Sequence, residues 1–292
     1  MNILVTGGLG FVGYNLIREL HKNTSNIIYS LDNNFTSAER NRIDLYRINY
    51  VYGNTKDISI LFKNIEIDIV YHLGEYSRIT TSFDDINYVH EFNSIGTYNV
   101  IKFCSDRSIK LIYAASSSRY GEEDNENLSP YAWYKAKNVE LIKNFSKWFG
   151  LRYSISYFYN AYGDHQIIRG KYSAVIGRFI GQYLNNENLT IVGSGLQKRD
   201  FTDVSDIVRG LVLLINAGDG KEFQFGTGKS YTILEIAKAF DHPYEFVKLK
   251  VGERFEGKLI ECESTKEIGW YAEHDVIEYI KNFVKYERSI NF

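Results

Sequence analysis

Long apolar runs, cysteine and an excess of one charge sign are all scarce in this sequence of 292 residues. Lys and Arg number 34 against 36 Asp and Glu, so the formal net charge is only -2 and the basic surplus typical of nucleic-acid-binding proteins is missing. The longest apolar runs, such as 211–215, are far too short to span a bilayer. We therefore expect neither a nucleic-acid partner nor a membrane partner.

The two cysteines, Cys104 and Cys262, indicate no disulfide framework and no metal site, because they are far apart and lie in no ligand-type spacing. The first residues run from an apolar stretch directly into glycines, without the basic segment and cleavage site of a signal peptide. We therefore predict a cytoplasmic protein with two free thiols and no metal. Hydrophobic residues at 44% and charged residues at 24% are ordinary for a globular chain.

Apolar runs of strand length alternate with helical periodicity through about the first 160 residues. Helices are predicted at 11–21, at 58–62 with Asp57 as its cap, at 94–104 and at 130–149, the last between a Ser129 N-cap and Gly150. The predicted strands are 2–6, 26–31, 50–52, 67–73, 110–115 and 153–158. Such alternation is typical of βαβ units with right-handed connections and a parallel sheet.

After Gly163 the alternation becomes less regular. Helices are predicted at 173–184, 204–215, 232–240 and 274–284, and strands at 189–192 and 222–225. We predict an α/β protein with a Rossmann-type doubly wound parallel sheet and a smaller, interleaved C-terminal substrate domain. The expected boundaries are 1–164 with 200–225 for the first domain, and 165–199 with 226–292 for the second.

Three glycines spaced three apart, Gly7, Gly10 and Gly13, lie between the first predicted strand and the first predicted helix. They would permit a tight turn, a close approach of backbone to a pyrophosphate, and close packing of the helix on the sheet. Asp32 ends the second strand, where a carboxylate accepts hydrogen bonds from the adenosine ribose and repels a 2′-phosphate, which favours NAD over NADP. The alternative is that Asp32 only begins the loop 32–34.

Two further groups carry candidate chemistry. Tyr131 and Lys135 are four residues apart and share a helix face, where a lysine ammonium favours the phenolate form of a tyrosine that acts as an acid or base. Ser116, Ser117 and Ser118 follow a predicted strand, at the sheet edge where ligands bind. Each pattern alone is also typical of an exposed helix or a polar loop, but the three signals in this order are far more specific.

At this point the sequence resembles the extended short-chain dehydrogenases that act on nucleotide sugars, the epimerase and dehydratase group typified by UDP-glucose 4-epimerase. The resemblance covers almost the whole chain. It is carried by the segments 6–13, 32–34, 72–74, 93–97, 116–121, 131–135, 159–163, 199–201, 225–228 and 268–270. It implies an NAD cofactor, a nucleotide-sugar substrate and a homodimer.

The resemblance also implies a role for each matched position. Tyr131 would be the acid/base at the sugar hydroxyl, Lys135 would bind the nicotinamide ribose, and Ser116 would hydrogen-bond the same sugar oxygen. The other residues implied to bind NAD are Gly7, Gly10, Phe11, Val12, Gly13, Asp32, Asn33, Asn34, Ser37, Asn54, Thr55, Leu73, Gly74, Glu75, Asn93 and Tyr159. Those implied to bind the nucleotide sugar are Ser77, Arg78, Ser117, Asn160, Arg199 and Arg254.

Several positions depart from the family pattern. Asn54 replaces a frequent Asp, although its amide oxygen can still accept from the adenine amine. Gly74 and Glu75 replace small residues, and Arg119 replaces an apolar one, so the sugar pocket could differ in shape. The match around Arg254 is weak, and a surface arginine is the alternative reading there and at Arg199.

The reaction expected from the resemblance is 4-epimerisation through a transient 4-keto-sugar. Ser117 and Ser118 occupy the positions where the family's 4,6-dehydratases carry Asp-Glu, and serine cannot supply that acid/base chemistry near neutral pH. A one-way sugar dehydrogenase or keto-sugar reductase uses the same three groups and stays open. A non-catalytic NAD-sensing protein is disfavoured, because Ser116, Tyr131 and Lys135 are all present.

The implied homodimer would pair the helices predicted at 94–104 and 130–148 of each subunit. Their apolar residues Trp133, Val139, Leu141, Ile142 and Phe145 could supply the interface. The alternative is that these side chains face the sheet of their own chain. The sequence does not name the sugar or its nucleotide base.

Overall fold

A computed structural model of the protein describes residues 1–36, 41–119, 129–248, 256–257 and 262–290. Seven strands form its central sheet: β1 (Asn2–Thr6), β2 (Ile27–Asp32), β3 (Ile48–Tyr52), β4 (Ile69–His72), β5 (Lys110–Ser116), β6 (Tyr153–Phe158) and, later in the chain, β9 (Lys221–Phe225). All neighbours pair in parallel, in the order β3-β2-β1-β4-β5-β6-β9. The strand order reverses direction at β1, so a crevice opens beyond its carboxyl end.

Helices cover both faces of this sheet. They are α1 (Phe11–His21), α2 (Ile58–Leu61), α3 (Ile86–Val89), α4 (Thr97–Asp106), α5 (Pro130–Phe149) and α7 (Val204–Leu213). Apolar residues of α1 and α7 share one buried cluster with the sheet, and those of α2, α4 and α5 share another. The predicted Rossmann-type architecture is therefore confirmed, with β9 and α7 completing it from the second half of the chain.

The remaining elements form a smaller part with its own core. They are α6 (Val175–Leu184), β7 (Leu189–Val192), β8 (Lys198–Asp200), β10 (Ser230–Thr232), α8 (Ile233–Ala239), β11 (Tyr244–Val247), β12 (Glu256–Gly257) and α10 (Val276–Ile290). The short helix α9 (Glu263–Glu267) instead lies against β9 of the central sheet, where the Gln224 N–H donates to Thr265 Oγ1 at 2.8 Å. The strands make two small sheets, β10-β8-β12 and β11-β7. Residues of α6, α8 and α10 pack together in a third buried cluster.

Two buried aspartates connect this smaller part to the rest. Asp200, at the end of β8, accepts from Thr227 Oγ1 at 2.7 Å and from the backbone N–H of Thr227 at 3.1 Å and of Gly228 at 2.8 Å. The backbone carbonyl of Asp206 on α7 accepts from Trp270 Nε1 at 2.8 Å. The segments 199–201, 225–228 and 268–270, which carry part of the family resemblance, thus take part in hydrogen bonds that hold the fold together.

Most sequence-predicted elements agree with the structure within a few residues, and α5 begins as expected. The Ser129 side chain accepts from the Ala132 N–H at 3.1 Å, Pro130 stands in the first turn, and Gly150 ends the helix at φ 73°. Asp57 stands at the N-cap position of α2, as predicted, but its side chain makes no capping bond. The Asn54 side chain caps the 3-10 turn just before it, by accepting from the Lys56 N–H. Both cysteines are free, as predicted.

The helix predicted at 94–104 also differs, because the helical segment begins earlier. It runs from α3 through a π-helical stretch, His90–Gly96, into α4. The dimer residues need correction as well, since Val139, Ile142 and Phe145 are buried in the core of their own chain. They face the sheet because α5 needs an apolar stripe to pack there.

Candidate functional site

A cavity of about 930 Å³ opens at the carboxyl ends of β1, β4 and β5. Its walls come from both parts of the molecule: the loops after these strands on one side, and α6 with the segment 166–175 on the other. This is the crevice where parallel α/β sheets bind their ligands, and its size suits a cofactor together with a substrate.

The glycine loop forms the floor of the cavity at the start of α1. Gly7 has φ +71°, and a Cβ there would lie 2.8 Å from Gly74 Cα. A Cβ on Gly13 would lie 2.1 Å from the Gly7 carbonyl oxygen, so this position needs glycine for α1 to pack against the loop. Gly10 is the N-cap of α1 and supplies no side-chain cap, which leaves the first helical N–H groups for an anion such as a pyrophosphate.

Asp32 lies beside this loop and lines the same cavity. Its Oδ2 accepts from the Leu9 N–H at 3.0 Å and its Oδ1 from the Asn34 N–H at 2.8 Å. The carboxylate is thereby fixed next to the glycines, where a ribose would lie. The glycine loop and Asp32 together fit a dinucleotide.

The three candidate catalytic residues line the cavity together. Ser116 ends β5, and Tyr131 and Lys135 lie in the first two turns of α5. Tyr131 is 9% exposed, so most of its ring is buried while part of it faces the cavity. The Ser116 Oγ accepts from the Ser118 N–H at 3.2 Å, which leaves its own proton to donate to a ligand.

The buried carboxylate of Glu75 forms an ion pair with Lys135. The Lys135 ammonium donates to Glu75 Oε2 and to the Ala114 carbonyl, and the Glu75 side chain is only 1% exposed. The other Glu75 oxygen accepts from Thr97 Oγ1 at 3.1 Å, from the Tyr113 hydroxyl at 3.1 Å and from Asn138 Nδ2 at 3.0 Å. Burial raises the pKa of Glu75, and Lys135 together with these donors opposes that rise.

His72 extends this network to the end of β1. Its Nδ1 lies 2.7 Å from Thr6 Oγ1 and its Nε2 3.0 Å from Thr97 Oγ1. Burial, and secondarily Lys135, lowers the pKa of His72 to about 3, so the ring is neutral at pH 7. Because the Thr97 hydroxyl donates to Glu75, we assign the proton to Nε2, which donates to Thr97, while Nδ1 accepts from Thr6.

The loop after β4 is held by Asn93, in the π-helical stretch. Its Oδ1 accepts from the Tyr76 N–H at 2.7 Å and its Nδ2 donates to the Tyr76 carbonyl at 2.9 Å. This pair of bonds fixes the backbone between Glu75 and Arg78, both of which line the cavity. Asn93 itself is fully buried.

The residues predicted to bind the nucleotide sugar and described by the structure also line the cavity: Ser77, Arg78, Ser117, Asn160 and Arg199. Asn160 has a positive φ of 32°, and its Nδ2 donates to the Asp200 carbonyl at 2.6 Å, so part of its amide serves the backbone. Arg199 is 8% exposed and donates from Nη1 to the Lys198 carbonyl at 2.7 Å.

Among the described residues predicted to bind NAD, four do not line the cavity: Asn34, Asn54, Asn93 and Tyr159. The Asn54 Nδ2 donates to Glu91 at 3.1 Å, and the buried Tyr159 hydroxyl donates to Gln224 at 2.7 Å. Ser37 and Arg254 lie outside the described residues. The predicted residues that do line it are Gly7, Gly10, Phe11, Val12, Gly13, Asp32, Asn33, Thr55, Leu73, Gly74 and Glu75.

Several lining residues were missed by the sequence reasoning. They belong to α6, to the segment before it and to β7: Arg169, Lys171, Tyr172, Arg178, Gln182 and Thr190. No motif marks them, since they reach the cavity only through the packing of the smaller part. In the described ranges, no group of three or more His, Cys, Asp or Glu side chains is arranged to hold a metal ion. No helix in the described part of the chain is long and apolar enough to cross a membrane.

Comparison with known proteins agrees with this geometry. A putative UDP-glucose 4-epimerase of Methanocaldococcus jannaschii is 29% identical over 99% of this chain and 99% of its own. A dTDP-D-glucose 4,6-dehydratase of Dictyostelium discoideum is 30% identical over 81% of this chain and 60% of its own. The crystal structure of a Thermotoga maritima UDP-glucose 4-epimerase with UDP-glucose superposes over 100% of both chains, with a TM-score of 0.89 and 25% identity.

Residues 3–226 match the sequence profile of the NAD dependent epimerase/dehydratase family, which is more than half of the chain. NAD is therefore the cofactor, and the protein is an enzyme. The chain belongs to the NAD-dependent epimerase/dehydratase family.

Proposed function

We propose that the protein is a nucleotide-sugar 4-epimerase that works through a transient 4-keto-sugar. The observation that carries the proposal is the meeting of Ser116, Tyr131 and Lys135 in one cavity beside a dinucleotide loop. Ser117 and Ser118, which follow Ser116, provide no carboxylate for dehydration. The relatives named as epimerases also support it, although a dehydratase is among the similar proteins.

In the proposed reaction, NAD bound in the cavity would supply reversible hydride transfer at the sugar carbon. Tyr131 takes the proton of the C4 hydroxyl and gives it back after the keto-sugar has turned its other face toward the cofactor. Ser116 donates a hydrogen bond to the same oxygen. The Lys135 ammonium lines the same cavity, one helical turn after Tyr131 on α5.

The cofactor would be held by side chains and backbone of this chain. Asp32 would accept from the adenosine ribose, and the N–H groups at the start of α1 would hold the pyrophosphate. Lys135 has given two of its three N–H bonds to Glu75 and Ala114, so one remains for the nicotinamide ribose. Asn160 and Arg199 would hold the substrate diphosphate, and a guanidinium suits that task because its fork matches phosphate oxygens.

The test is NMR of UDP-, dTDP- and GDP-sugars incubated with purified protein and NAD. We expect an epimerised sugar with no net NADH. Stoichiometric NADH with a keto-sugar would replace epimerisation by one-way oxidation, the runner-up reaction. Loss of the sugar's C6 oxygen would show that dehydration occurs despite Ser117 and Ser118.

We also propose a cytoplasmic homodimer. Exposed aromatic residues on α4 and α5 support the dimer: Tyr98 is 44%, Trp148 61% and Phe149 63% exposed, and all three surround Phe145. Trp133 on the same helix is 41% exposed. Light scattering should give twice the chain mass of 33.9 kDa, and Trp148→Glu should reduce it to a monomer. A monomeric wild-type protein would refute the dimer; the cytoplasmic location stays a prediction from the sequence.

A further inference from the structure

Glu75 places a buried carboxylate in the wall of the cavity, in the loop after β4. Its side chain is 1% exposed, and that of Lys135, its ion-pair partner, is 7% exposed. Position 75 is also a departure from the family pattern, in which a small residue is usual there. A buried ion pair often adds less stability than neutral side chains of similar volume, so stability alone does not explain this pair.

The contacts of Glu75 are those of an ionised carboxylate. The Lys135 ammonium donates to its Oε2, and Asn138 Nδ2 donates to its Oε1 at 3.0 Å. Both oxygens therefore accept from nitrogens that can only donate. Thr97 Oγ1 and the Tyr113 hydroxyl are two further donors, each at 3.1 Å from Oε1. We therefore assign one negative charge to Glu75 and one positive charge to Lys135 at neutral pH.

The order of the strands places this ion pair toward one end of a bound dinucleotide. Asp32, at the end of β2, and the glycine loop after β1 fit the adenosine ribose and the pyrophosphate. From there the sheet continues to β4, whose following loop carries Glu75, and to β5, where the Ala114 carbonyl accepts from Lys135. The nicotinamide half of the dinucleotide would therefore extend toward the ion pair.

The nicotinamide ring differs in charge between the two forms of the cofactor. The ring carries one positive charge in NAD and none in NADH, because a hydride brings two electrons together with one proton. An uncancelled ammonium beside the ring would therefore disfavour NAD relative to NADH. The Glu75 carboxylate opposes that effect, because it is bonded directly to the Lys135 ammonium.

We propose that Glu75 sets the redox preference of the bound cofactor: it cancels the charge of Lys135, so that the site favours the oxidised form, NAD. The hydride taken from the sugar, with its two electrons, then returns to the keto carbon rather than leaving the site as NADH, and Tyr131 returns the proton. This preference suits an epimerase, whose net reaction makes no NADH. Glu75 acts through Lys135 as a positioning residue. The inference rests on the proposed place of the nicotinamide and does not depend on which sugar reacts.

The test is the ratio of the dissociation constant for NAD to that for NADH, measured without sugar. Binding of NADH is followed by its fluorescence, and binding of NAD by displacement of NADH. Glu75→Gln leaves the charge of Lys135 uncancelled, so we expect this ratio to rise about 10-fold or more. A 10-fold rise corresponds to an upward shift of about 30 mV in the two-electron potential of the bound cofactor.

Three further variants separate the charge of Glu75 from its shape. Glu75→Ala also removes the charge, with a small residue as is usual in the family, and should raise the ratio as well. The double variant Glu75→Gln/Lys135→Met removes both charges, so its ratio should return to within about 3-fold of the wild-type value even if both affinities fall. Glu91→Gln is the matched control, since it breaks a pair with Lys56 that does not line the cavity, and it should leave the ratio unchanged.

Thermal melting shows which variants fold, and either folded variant without the Glu75 charge decides the question. An unchanged ratio in that variant would overturn the inference. Affinities for NAD and NADH that fall in the same proportion would overturn it too, because Glu75 would then only support the shape of the site.

The absence of sugar separates this inference from the proposed function. A protein that epimerises no sugar but shows the Glu75-dependent ratio would support the inference and refute the function. An active epimerase whose ratio ignores Glu75 would do the reverse.

Discussion

The two sides of the cavity differ in how their charges are satisfied. On the wall formed by α5 and the loop after β4, Lys135 is bonded to a buried carboxylate that also accepts from Thr97, Tyr113 and Asn138. On the wall that Tyr172 lines, Arg78 is held, within the described part of the chain, by two carbonyls and a hydroxyl. The comparison teaches that Lys135 has a counter-charge within the protein, whereas the described hydrogen bonds of Arg78 come from groups without formal charge. The following variants would break or sharpen that contrast.

The largest effect is expected at Tyr131, the group that both sides serve. Tyr131→Phe removes the hydroxyl that takes the proton, so kcat should fall by about 1,000-fold or more. NAD affinity measured by calorimetry should change less than about 3-fold, because Asp32 and the glycine loop are untouched. A fully active Tyr131→Phe protein would rule out the proposed mechanism.

The next effect concerns Glu75. Glu75→Gln keeps the side-chain volume but removes the counter-charge of Lys135, so the free energy of unfolding in urea should fall by about 3 kcal/mol. Since Lys135 also loses its fixed position, kcat should fall by about 10- to 100-fold. Glu91→Gln is the matched control: its pairing with Lys56 is more exposed, and its loss should cost less than about 1 kcal/mol. Equal behaviour of the two variants would mean that Glu75 does not position Lys135.

The lowered pKa of buried His72 predicts how the free energy of unfolding depends on pH. Its folded-state pKa of about 3 lies below the unfolded value of about 6.5, so between these values the unfolded chain binds the extra proton. Stability contributed by neutral His72 is therefore present above pH 6.5 and is lost as the pH falls toward 3, by about 2 kcal/mol between pH 7 and pH 5. Urea unfolding of His72→Asn should show a shallower pH slope, whereas replacing the surface His242 should not. An unchanged slope in His72→Asn would contradict the assignment.

The smallest effect is expected at Asn54. The structure uses its side chain to accept from the Lys56 N–H at 3.3 Å and to donate to Glu91. Asn54→Ala should therefore lower stability by about 1 kcal/mol through the lost cap, with NAD affinity changed less than about 2-fold. A 10-fold loss of NAD affinity would instead support the adenine contact that the sequence suggested.

The sequence was informative where function depends on local geometry. The glycine loop, Asp32 and the Ser129-Pro130 start of α5 each depend on a few adjacent residues. Their predicted placement agrees with the structure. The Glu75 network could not be found in this way, because its members come from β5, α4, α5 and the loop after β4. Only packing brings them together. The same holds for the lining residues of α6, whose side chains carry no motif.

The assignments that differed from the structure have physical causes. Asp57 is the N-cap residue of α2, as expected, but the side-chain capping bond of this segment is made by Asn54, one 3-10 turn earlier. The apolar residues of α5 were read as an interface, yet a helix against a sheet must first bury its own stripe. What α5 leaves exposed are the aromatics near its C-terminal end.

The Asp200 carboxylate, at the end of β8, accepts from the backbone N–H groups of Thr227 and Gly228, just after β9. It therefore ties the small β8 sheet to the segment that leaves the central sheet. For protein engineering, this means that the smaller part is not a detachable module. A graft that moved it onto another Rossmann scaffold would have to carry β9 and the turn 226–228 with it. Exchange of sugar specificity between family members is better sought in the side chains of the cavity wall than in swapped segments.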